Sequence, residues 1–406
     1  MPPKRAQAKT NNNGGPPAKK PMQQTKLTPS IGGNWEVTDS LLIYTPPDAK
    51  PSSKILGLDM DGTIITTKSG KVFAQDTNDW KLLNDQVISK LKQYQSKGFK
   101  IVIMSNQSGI DKGHVTVAAF QTKVENILQQ LGLPIQGYFS VKSDRNRKPM
   151  IGMWEVLEKE GNGGVAVDRS QSIYCGDAAG RPAEGSRKKD FSCGDRLFAL
   201  NLGVPFRTPE QLWLERADAG PYSLPNFDPK AALNAKQPQL PTLTPPKKQE
   251  VILMVGYPAS GKSYFCKTKL APLGYTIVSR DVLNTWQKCV NATKDALRKG
   301  ESVAVDNTNM DAESRGRYVE AAKAAGCPIR CFVMKTTVEN ARHNERFRVL
   351  THEDHEPISQ MVFNMLKSKY QEPTMKEGFS EIVEIPFVVD KQCQDLSLYC
   401  MHLLEK

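Results

Sequence analysis

The chain has 406 residues, of which 39% are hydrophobic and 24% charged, and its formal net charge is +12. This length allows two folded domains. There is no apolar run of roughly 18 residues and no apolar N-terminal segment, so we expect neither a transmembrane helix nor a secretory signal. We therefore expect a soluble intracellular protein. Nine of the twelve net positive charges lie in residues 1–34 and 225–249, so bulk charge supports a polyanionic partner only weakly.

Residues 1–34 form a segment of unusual composition. They are rich in Pro, Asn, Gln, Gly and Lys, contain no acidic residue, and have too few apolar side chains to offset the entropy of folding. We predict a disordered basic tail. Its basic pairs, Lys4-Arg5 and Lys19-Lys20, fit a nuclear import signal or a solvating arm. We predict a nuclear location, with the cytoplasm and the mitochondrion as alternatives.

Strand and helix patterns alternate from residue 35 to residue 224. Alternation of this kind predicts an α/β domain in which helices cover both faces of a parallel sheet. The predicted strands are Leu41–Thr45, Lys54–Leu58, Lys100–Met104, Gly137–Val141 and Ser172–Cys175, and the predicted helices are Val87–Lys97, Val115–Leu131 and Met150–Lys159.

A proline-rich linker and a second α/β domain follow. Residues 225–249 contain six prolines, which predict a stiffened linker. Residues 250–406 then resume the alternation, which predicts a second parallel-sheet domain. Its predicted strands are Val251–Val255, Tyr275–Val278, Ser302–Val305 and Ile329–Val333.

Two carboxylates follow the second predicted strand. Asp59 and Asp61 lie at positions i and i+2 of the sequence Asp-Met-Asp-Gly-Thr, so both project to one side at the carboxyl end of a sheet, where open α/β folds bind ligands. An acidic turn or a calcium loop is the alternative. A calcium loop needs a third ligand position and a distal Glu, but the chain after Gly62 returns directly to apolar residues.

The second domain opens with a phosphate-binding loop. Gly256, Gly261, Lys262 and Ser263 form the pattern G-x-x-x-x-G-K-S directly after the strand Val251–Val255. In such a loop backbone N–H groups bind phosphates, Lys262 reaches the β- and γ-phosphate oxygens, and Ser263 binds Mg²⁺. The sequence therefore predicts ATP or GTP binding.

Two acidic residues at later strand ends indicate phosphoryl transfer. Asp281 is placed to take a proton from an acceptor hydroxyl, Arg280 beside it could hold a substrate phosphate, and Asp306 could position Mg²⁺ or its water. Helix capping is the alternative for both acids.

Arginines later in the second domain form a helical pattern. Arg342 and Arg346 share a helix face, and Arg348 lies nearby. They resemble the lid of small phosphoryl-transfer kinases, in which arginines cover the transferring phosphoryl group. A solvated helix face is the alternative.

The Asp-Met-Asp-Gly-Thr sequence after an apolar strand resembles the haloacid dehalogenase superfamily. The resemblance implies that Asp59 attacks phosphorus to form an aspartyl-phosphate, and that Asp61 protonates the leaving alkoxide and then activates water. The second aspartate favours a phosphatase within that superfamily.

The same resemblance implies roles for residues at later strand ends. Ser105 would hydrogen-bond the phosphoryl oxygens, and Lys148 would neutralise charge in the transition state. Asp177 would bind Mg²⁺ together with Asp59 and the backbone carbonyl of Asp61. An additional acid common in the superfamily is displaced here, and Asp190 or Asp195 could fill its place.

A phosphatase followed by a kinase, from about Trp35 to Lys406, resembles the bifunctional polynucleotide kinase 3′-phosphatases. The resemblance implies Mg²⁺ and ATP as cofactors, and DNA ends with a 3′-phosphate or a 5′-hydroxyl as substrates, with RNA ends as an alternative. The two activities would then act on different ends. A metabolic kinase–phosphatase that acts on a small sugar or nucleotide is the competing hypothesis.

The expected partners follow from the same comparison. Vertebrate members begin with a forkhead-associated domain, which has no counterpart before Trp35, so we expect no phosphoprotein scaffold binding through it. We expect a monomer without membrane contact. The groups Arg145/Arg147/Lys148 and Arg187/Lys188/Lys189 flank the predicted phosphatase site and could bind a DNA strand or form ordinary solvated surface.

Overall fold

The computed structural model describes residues 32–72, 74–185, 187–217, 220–352 and 354–406. The first domain contains nine strands, β1 to β9. Seven of them form one sheet in the order β1-β2-β7-β6-β3-β8-β9, and β4 pairs with β5. Strands β7, β6, β3, β8 and β9 are parallel, while β1 and β2 form an antiparallel edge. The nine strands are β1 (Asn34–Val37), β2 (Leu41–Thr45), β3 (Ile55–Leu58), β4 (Ile65–Thr66), β5 (Lys81–Leu82), β6 (Lys100–Asn106), β7 (Gln136–Ser140), β8 (Ile173–Cys175) and β9 (Phe206–Arg207).

Five parallel strands form the sheet of the second domain, in the order β11-β12-β10-β13-β14. They are β10 (Val251–Val255), β11 (Thr276–Ser279), β12 (Val303–Asp306), β13 (Ile329–Met334) and β14 (Glu381–Ile385). Every residue of the central strand β10 is buried. Burial on both faces explains why this strand is a continuous apolar run instead of an alternating one.

Helices cover both faces of each sheet. In the part of the chain that the structure describes, no helix is long and apolar enough to cross a membrane. The α-helices are α1 (Gln86–Ser96), α2 (Ser108–Asp111), α3 (Val117–Leu131), α4 (Gly152–Val156), α5 (Gly194–Leu202), α6 (Pro209–Trp213), α7 (Pro229–Asn234), α8 (Lys262–Phe265), α9 (Arg280–Leu283), α10 (Trp286–Arg298), α11 (Ala312–Ala324), α12 (Val338–Thr351), α13 (Gln360–Lys369) and α14 (Leu396–Tyr399).

Side-chain alternation along the strands divides the first domain into two cores. Leu56 and Leu58 of β3 pack into one core, and Ile55 packs into the other. Helix α3 covers the first of these cores with the residues that share one helical face, including Phe120 and Val124. The second domain has the same two-core arrangement around its own sheet.

The structure confirms the predicted α/β architecture and most predicted elements. Strands β2 and β10 have the predicted bounds, and the other predicted strands differ by at most two residues at either end. The predicted helix Met150–Lys159 is α4 followed by a π-helical turn at Leu157–Gly161. The sequence did not predict the antiparallel edge strand β1, the strands β9 and β14, or the helices α5 and α6.

The proline-rich segment 225–249 is attached to the second domain. Residues Pro229–Asn234 form α7, and Leu240 and Leu243 pack against the core beside β10. The Gln237 side chain accepts a hydrogen bond of 3.0 Å from the Val389 backbone N–H. The segment predicted as a linker is therefore partly helical and packed, because its few apolar residues find a partner surface.

Candidate active sites

The carboxyl ends of three neighbouring strands carry the predicted phosphatase residues. Asp59 directly follows β3, Ser105 lies at the end of β6, and Asp177 lies just after β8. Strands β6, β3 and β8 are adjacent in the sheet. Three residues that are far apart in sequence therefore meet at one edge, as the parallel topology requires.

Lys148 is at the centre of this site. Its Nζ donates hydrogen bonds to Asp59 Oδ1 at 2.7 Å, to Asp195 Oδ1 at 2.7 Å and to the Tyr174 hydroxyl at 2.8 Å. The Lys148 side chain is only 3% exposed. A buried ammonium needs such partners, and the two carboxylates provide compensating charge.

Burial and crowded negative charge shift the pKa values in this cluster. Burial raises the pKa of Asp59 to about 7; the Lys148 ammonium opposes this shift and the Asp195 carboxylate adds to it. Burial also raises the pKa of Asp177 well above its usual range, with further contributions from Asp59 and Asp195. Burial alone would lower the pKa of Lys148, but Asp195 and Asp59 reverse this effect and raise it. A positive charge in addition to Lys148 would therefore stabilise the ionised forms of Asp59 and Asp177.

Asp61 lies in a different environment from Asp59. Its carboxylate accepts hydrogen bonds from Gln107 Nε2 at 2.9 Å and from Lys123 Nζ at 3.2 Å, and its side chain is 51% exposed. Gln107 Nε2 also donates to Ser105 Oγ at 3.1 Å. One aspartate is thus buried against a lysine while the other faces solvent, which suits a nucleophile and a proton-transferring group respectively.

Asp59, Asp177 and Asp195 form a carboxylate cluster. They offer ligand oxygens that lie within 4.8 Å of one another, and no other such His, Cys, Asp or Glu group occurs among the residues that the structure describes. A few carboxylate oxygens beside a phosphate site are a donor set that fits Mg²⁺. Asp190 instead binds the Arg181 guanidinium, with Nε to Oδ2 at 2.8 Å. Of the two acids left open by the sequence, the geometry thus favours Asp195.

The phosphate loop of the second domain connects β10 to α8. Gly261 has φ of +96° and directly precedes α8, so Lys262 and Ser263 begin a helix whose N–H groups point toward the loop. Lys262 Nζ donates to the Tyr257 carbonyl at 2.7 Å. Burial lowers the pKa of Lys262 to about 8, while Asp306 and Asp281 oppose that shift.

Both predicted acids of the kinase lie at strand ends near this loop. Asp306 is the last residue of β12, and Asp281 lies in α9 directly after β11. Asn307 connects the two ends, because its side-chain oxygen accepts a hydrogen bond of 2.8 Å from the Arg280 N–H. Both carboxylates act to raise the pKa of Lys262, as expected if the two acids lie close to the same lysine.

Helix α12 presents opposite faces to the two domains. Asn344 Nδ2 donates to the Ala259 carbonyl of the phosphate loop at 2.9 Å, whereas Arg346 Nη1 donates to the Ser143 carbonyl of the first domain at 3.2 Å. Residues two positions apart on an α-helix differ by about 200° in direction. The face of Arg346 is therefore turned away from the phosphate loop.

The predicted arginine lid must be corrected accordingly. Arg342 shares the face of Arg346, and both line a cavity with Leu404 at the junction of the domains. Arg348 shares the face of Asn344, and its charge contributes to lowering the pKa of Lys262. The structure thus places Arg348, and neither Arg342 nor Arg346, on the helix face turned toward the phosphate loop.

The three arginines of the basic groups beside the phosphatase site each form an ion pair within the chain. Arg145 pairs with Asp395 at 2.9 Å, and Arg147 pairs with Glu405 at 3.1 Å. Arg187 pairs with Glu184 at 3.1 Å. The expectation that these arginines bind a DNA strand loses support, because each already has an acidic partner within the chain.

Several residues of the sites escaped sequence analysis. Tyr174, Gln107 and Lys123 contact the catalytic groups on the phosphatase side, and Asn344 supports the phosphate loop. Gln107 follows Ser105 by two positions at a strand end, which is a usable signal. Lys123 lies within a helix whose sequence pattern indicates only packing, so nothing local marks it.

Comparison with known proteins gives two family matches in different parts of the chain. The family described as polynucleotide kinase 3 phosphatase matches residues 54–213, and an AAA domain family matches residues 283–373. The bifunctional polynucleotide phosphatase/kinase of Schizosaccharomyces pombe is 38% identical over 372 residues, which cover 91% of this chain and 89% of that protein. The chain belongs to the bifunctional polynucleotide phosphatase/kinase family. It is therefore an enzyme with a phosphatase domain and a kinase domain.

Two further relatives of this phosphatase/kinase differ in how much of this chain they match. A protein of Acanthamoeba polyphaga mimivirus, described as a putative bifunctional polynucleotide phosphatase/kinase, is 30% identical and aligns with 89% of this chain and 92% of its own length. The polynucleotide 3′-phosphatase of Saccharomyces cerevisiae is 26% identical and aligns with only 39% of this chain but 87% of its own length. Less than half of this chain therefore aligns with most of that relative.

Proposed function

We propose that this phosphatase/kinase heals the ends of broken DNA strands, removing 3′-phosphates and transferring the γ-phosphate of ATP to 5′-hydroxyls. A phosphatase and a kinase that acted on the same position would only hydrolyse ATP. The two sites lie on separate sheets of one chain, which suits reactions at different ends of one break. We further propose a nuclear location and a monomer; the basic pairs Lys4-Arg5 and Lys19-Lys20 lie outside the described residues.

The contact of Asp59 with Lys148 carries the phosphatase mechanism. An Asp59 carboxylate oxygen attacks phosphorus while the bond from phosphorus to the 3′-oxygen breaks, and Asp61 gives that oxygen its proton. Lys148, held at 2.7 Å from Asp59, neutralises the charge that develops on the phosphoryl group. Water then attacks the aspartyl-phosphate and loses its proton to Asp61, which releases inorganic phosphate and restores Asp59.

Asp281 is the proposed base of the kinase. It takes the proton of the 5′-hydroxyl, the freed oxygen attacks the γ-phosphorus, and ADP leaves with Lys262 close to its terminal phosphate. Mg²⁺, held by Asp59, Asp177 and Asp195 in one domain and by Ser263 with Asp306 in the other, would supply charge neutralisation for phosphate oxygens.

A gapped DNA duplex with a 3′-phosphate and a 5′-hydroxyl tests the proposal. We expect loss of the 3′-phosphate without ATP, abolished in Asp59→Asn but retained in Lys262→Ala. We expect ATP-dependent 5′-phosphorylation with the opposite sensitivity. A matched RNA substrate measures the preference between nucleic acids. An enzyme that is inactive on both but hydrolyses a sugar phosphate or mononucleotide would refute the proposal in favour of a metabolic role.

The proposed location has its own test. Fluorescent full-length chain in cells should concentrate in the nucleus, and replacement of the four basic residues at positions 4, 5, 19 and 20 by alanine should reduce that concentration. An unchanged distribution would refute a role for these pairs.

A further inference from the structure

The C-terminal residues 395–405, which we name the C-terminal strap, contact both domains. On the kinase side, the Tyr399 hydroxyl donates to Asn344 Oδ1 at 2.8 Å, and His343 Nε2 lies 2.9 Å from the Tyr399 carbonyl. On the phosphatase side, Leu398 and Leu403 form a buried apolar cluster with Met150. The strap therefore follows the kinase domain in sequence but packs against both domains.

The strap holds the loop that precedes and follows Lys148. Asp395 and Glu405 pair with Arg145 and Arg147 respectively, at 2.9 and 3.1 Å. The Arg147–Glu405 pair joins charges that are only partly exposed, with 22% and 26% side-chain exposure, whereas Arg145 is 53% exposed in its pair with Asp395. Such pairs are screened less by salt than fully exposed ones. Arg147 is the residue adjacent to Lys148, so the Glu405 carboxylate restrains the backbone on which the catalytic ammonium depends.

Asn201 joins the strap to the same loop on the other side of Lys148. Its Nδ2 donates to the carbonyls of Pro149 at 2.8 Å and of His402 at 3.0 Å, while its Oδ1 accepts from the His402 N–H at 2.9 Å. One side chain of α5 thus joins the residue after Lys148 to the strap.

The strap also restrains the start of α5, which carries Asp195. The Glu405 carbonyl accepts hydrogen bonds from the Cys193 N–H and from Cys193 Sγ, both at 3.0 Å. Cys193 directly precedes α5, and Asp195 is its second residue. Asp195 in turn binds Lys148 at 2.7 Å. Glu405 therefore contacts both chain segments whose side chains meet beside Asp59.

We propose that the C-terminal strap positions Lys148 and Asp195 for the phosphatase reaction, with Glu405 as its principal positioning residue. Neither Glu405 nor Arg147 contacts Asp59, so they act through the segments that they hold. The phosphatase domain then depends for full activity on residues contributed by the far end of the kinase domain. Loss of an outer hydrogen-bonding partner of a metal or catalytic site typically costs about 10- to 100-fold in activity or metal affinity.

Three variants of the full-length enzyme test this proposal. Glu405→Gln removes the charge opposite Arg147, the exchanged pair Arg147→Glu with Glu405→Arg restores an ion pair, and a chain that ends at Leu404 also removes the Glu405 carbonyl. Asp295→Asn, which breaks an exposed ion pair with Arg298 on the kinase domain, is the matched control. Phosphatase kcat, KM and Mg²⁺ half-saturation are measured with a 3′-phosphorylated oligonucleotide and with p-nitrophenyl phosphate, alongside kinase rate and melting temperature.

We expect Glu405→Gln to lower phosphatase kcat by on the order of tenfold with little change in KM, and the shortened chain to lose more and to require more Mg²⁺. The exchanged pair should recover most of the kcat that Glu405→Gln loses. The kinase rate should stay within twofold of wild type in every variant.

Two results would overturn the proposal: an unchanged phosphatase kcat in Glu405→Gln and the shortened chain, or a parallel loss of both activities together with a lower melting temperature. The inference rests on the phosphatase activity but not on DNA as substrate. Wild-type enzyme that hydrolyses only p-nitrophenyl phosphate would refute the DNA proposal while leaving the strap fully testable.

Discussion

Replacement of Gly62 by alanine is expected to lower phosphatase activity by about 100-fold for a local geometric reason. Gly62 has φ of +80°, and a Cβ there would lie 2.4 Å from Asp177 Oδ2, whereas ordinary contact begins at 3.4 Å. Either Asp177 or the turn that carries Asp61 must therefore move by about 1 Å. A displacement of that size in a catalytic constellation can reduce the rate by about 100-fold.

Gly132→Ala provides a matched control for backbone strain. Gly132 ends α3 with φ of +64°, and a Cβ there would have no atom within 4 Å. Both substitutions place alanine in the left-handed region, at a cost of about 1–2 kcal/mol. Each kcal/mol lowers the melting temperature of a domain of this size by about 2–4 °C. The two variants should thus lose similar backbone stability, but only Gly62→Ala should lose phosphatase activity.

The assay measures phosphatase kcat on a 3′-phosphorylated oligonucleotide, kinase kcat on a 5′-hydroxyl oligonucleotide, and the melting temperature of each variant. Kinase activity should be unchanged in both, because neither glycine lies in the kinase domain. If Gly62→Ala keeps the phosphatase rate of Gly132→Ala, the argument from the close approach to Asp177 is wrong.

Three further outcomes are expected. Lys148→Met should lower phosphatase kcat by about 10²- to 10³-fold through loss of transition-state charge stabilisation, with kinase activity unchanged; a loss below threefold would contradict its role. Burial raises the pKa of Asp59 to about 7, so Mg²⁺ must displace a proton from this carboxyl below that pH. The half-saturating Mg²⁺ concentration of the phosphatase should therefore rise by up to about tenfold per pH unit toward pH 5.5. A half-saturating concentration that does not change with pH would refute this. Arg348→Ala should reduce kinase kcat by about 10²-fold or more, and the matched variant Arg342→Ala should reduce it far less; the reverse order in initial rates would restore the original lid prediction.

Local sequence patterns were sufficient for most of the secondary structure. The continuous apolar run Val251–Val255 predicted a central strand with its observed bounds, because a strand buried on both faces has no polar positions. Helix α5 was missed, since its nine residues, Gly194–Leu202, give too short a periodic signal after an irregular loop. That omission left the choice between Asp190 and Asp195 open.

The helix that carries the arginines shows where sequence reasoning fails. Arg342 and Arg346 satisfy the same spacing as Asn344 and Arg348, so periodicity identifies two faces but cannot say what each one meets. Only the packing of α12 between the phosphate loop and Ser143 separates them.

The sequence by itself determined the two chemistries, because Asp59 with Asp61 and Lys262 with Ser263 act through short spacings fixed by the strand or turn that carries them. The tertiary structure decided which distant groups join them. Lys148, in the loop after β7, and Asp195, in α5, reach Asp59 only because the segments that follow the parallel strands converge at one edge of the sheet. Glu405 reaches both segments only because the chain returns to the first domain after completing the second. Contacts between residues far apart in sequence depend on how whole elements pack, which no local pattern encodes.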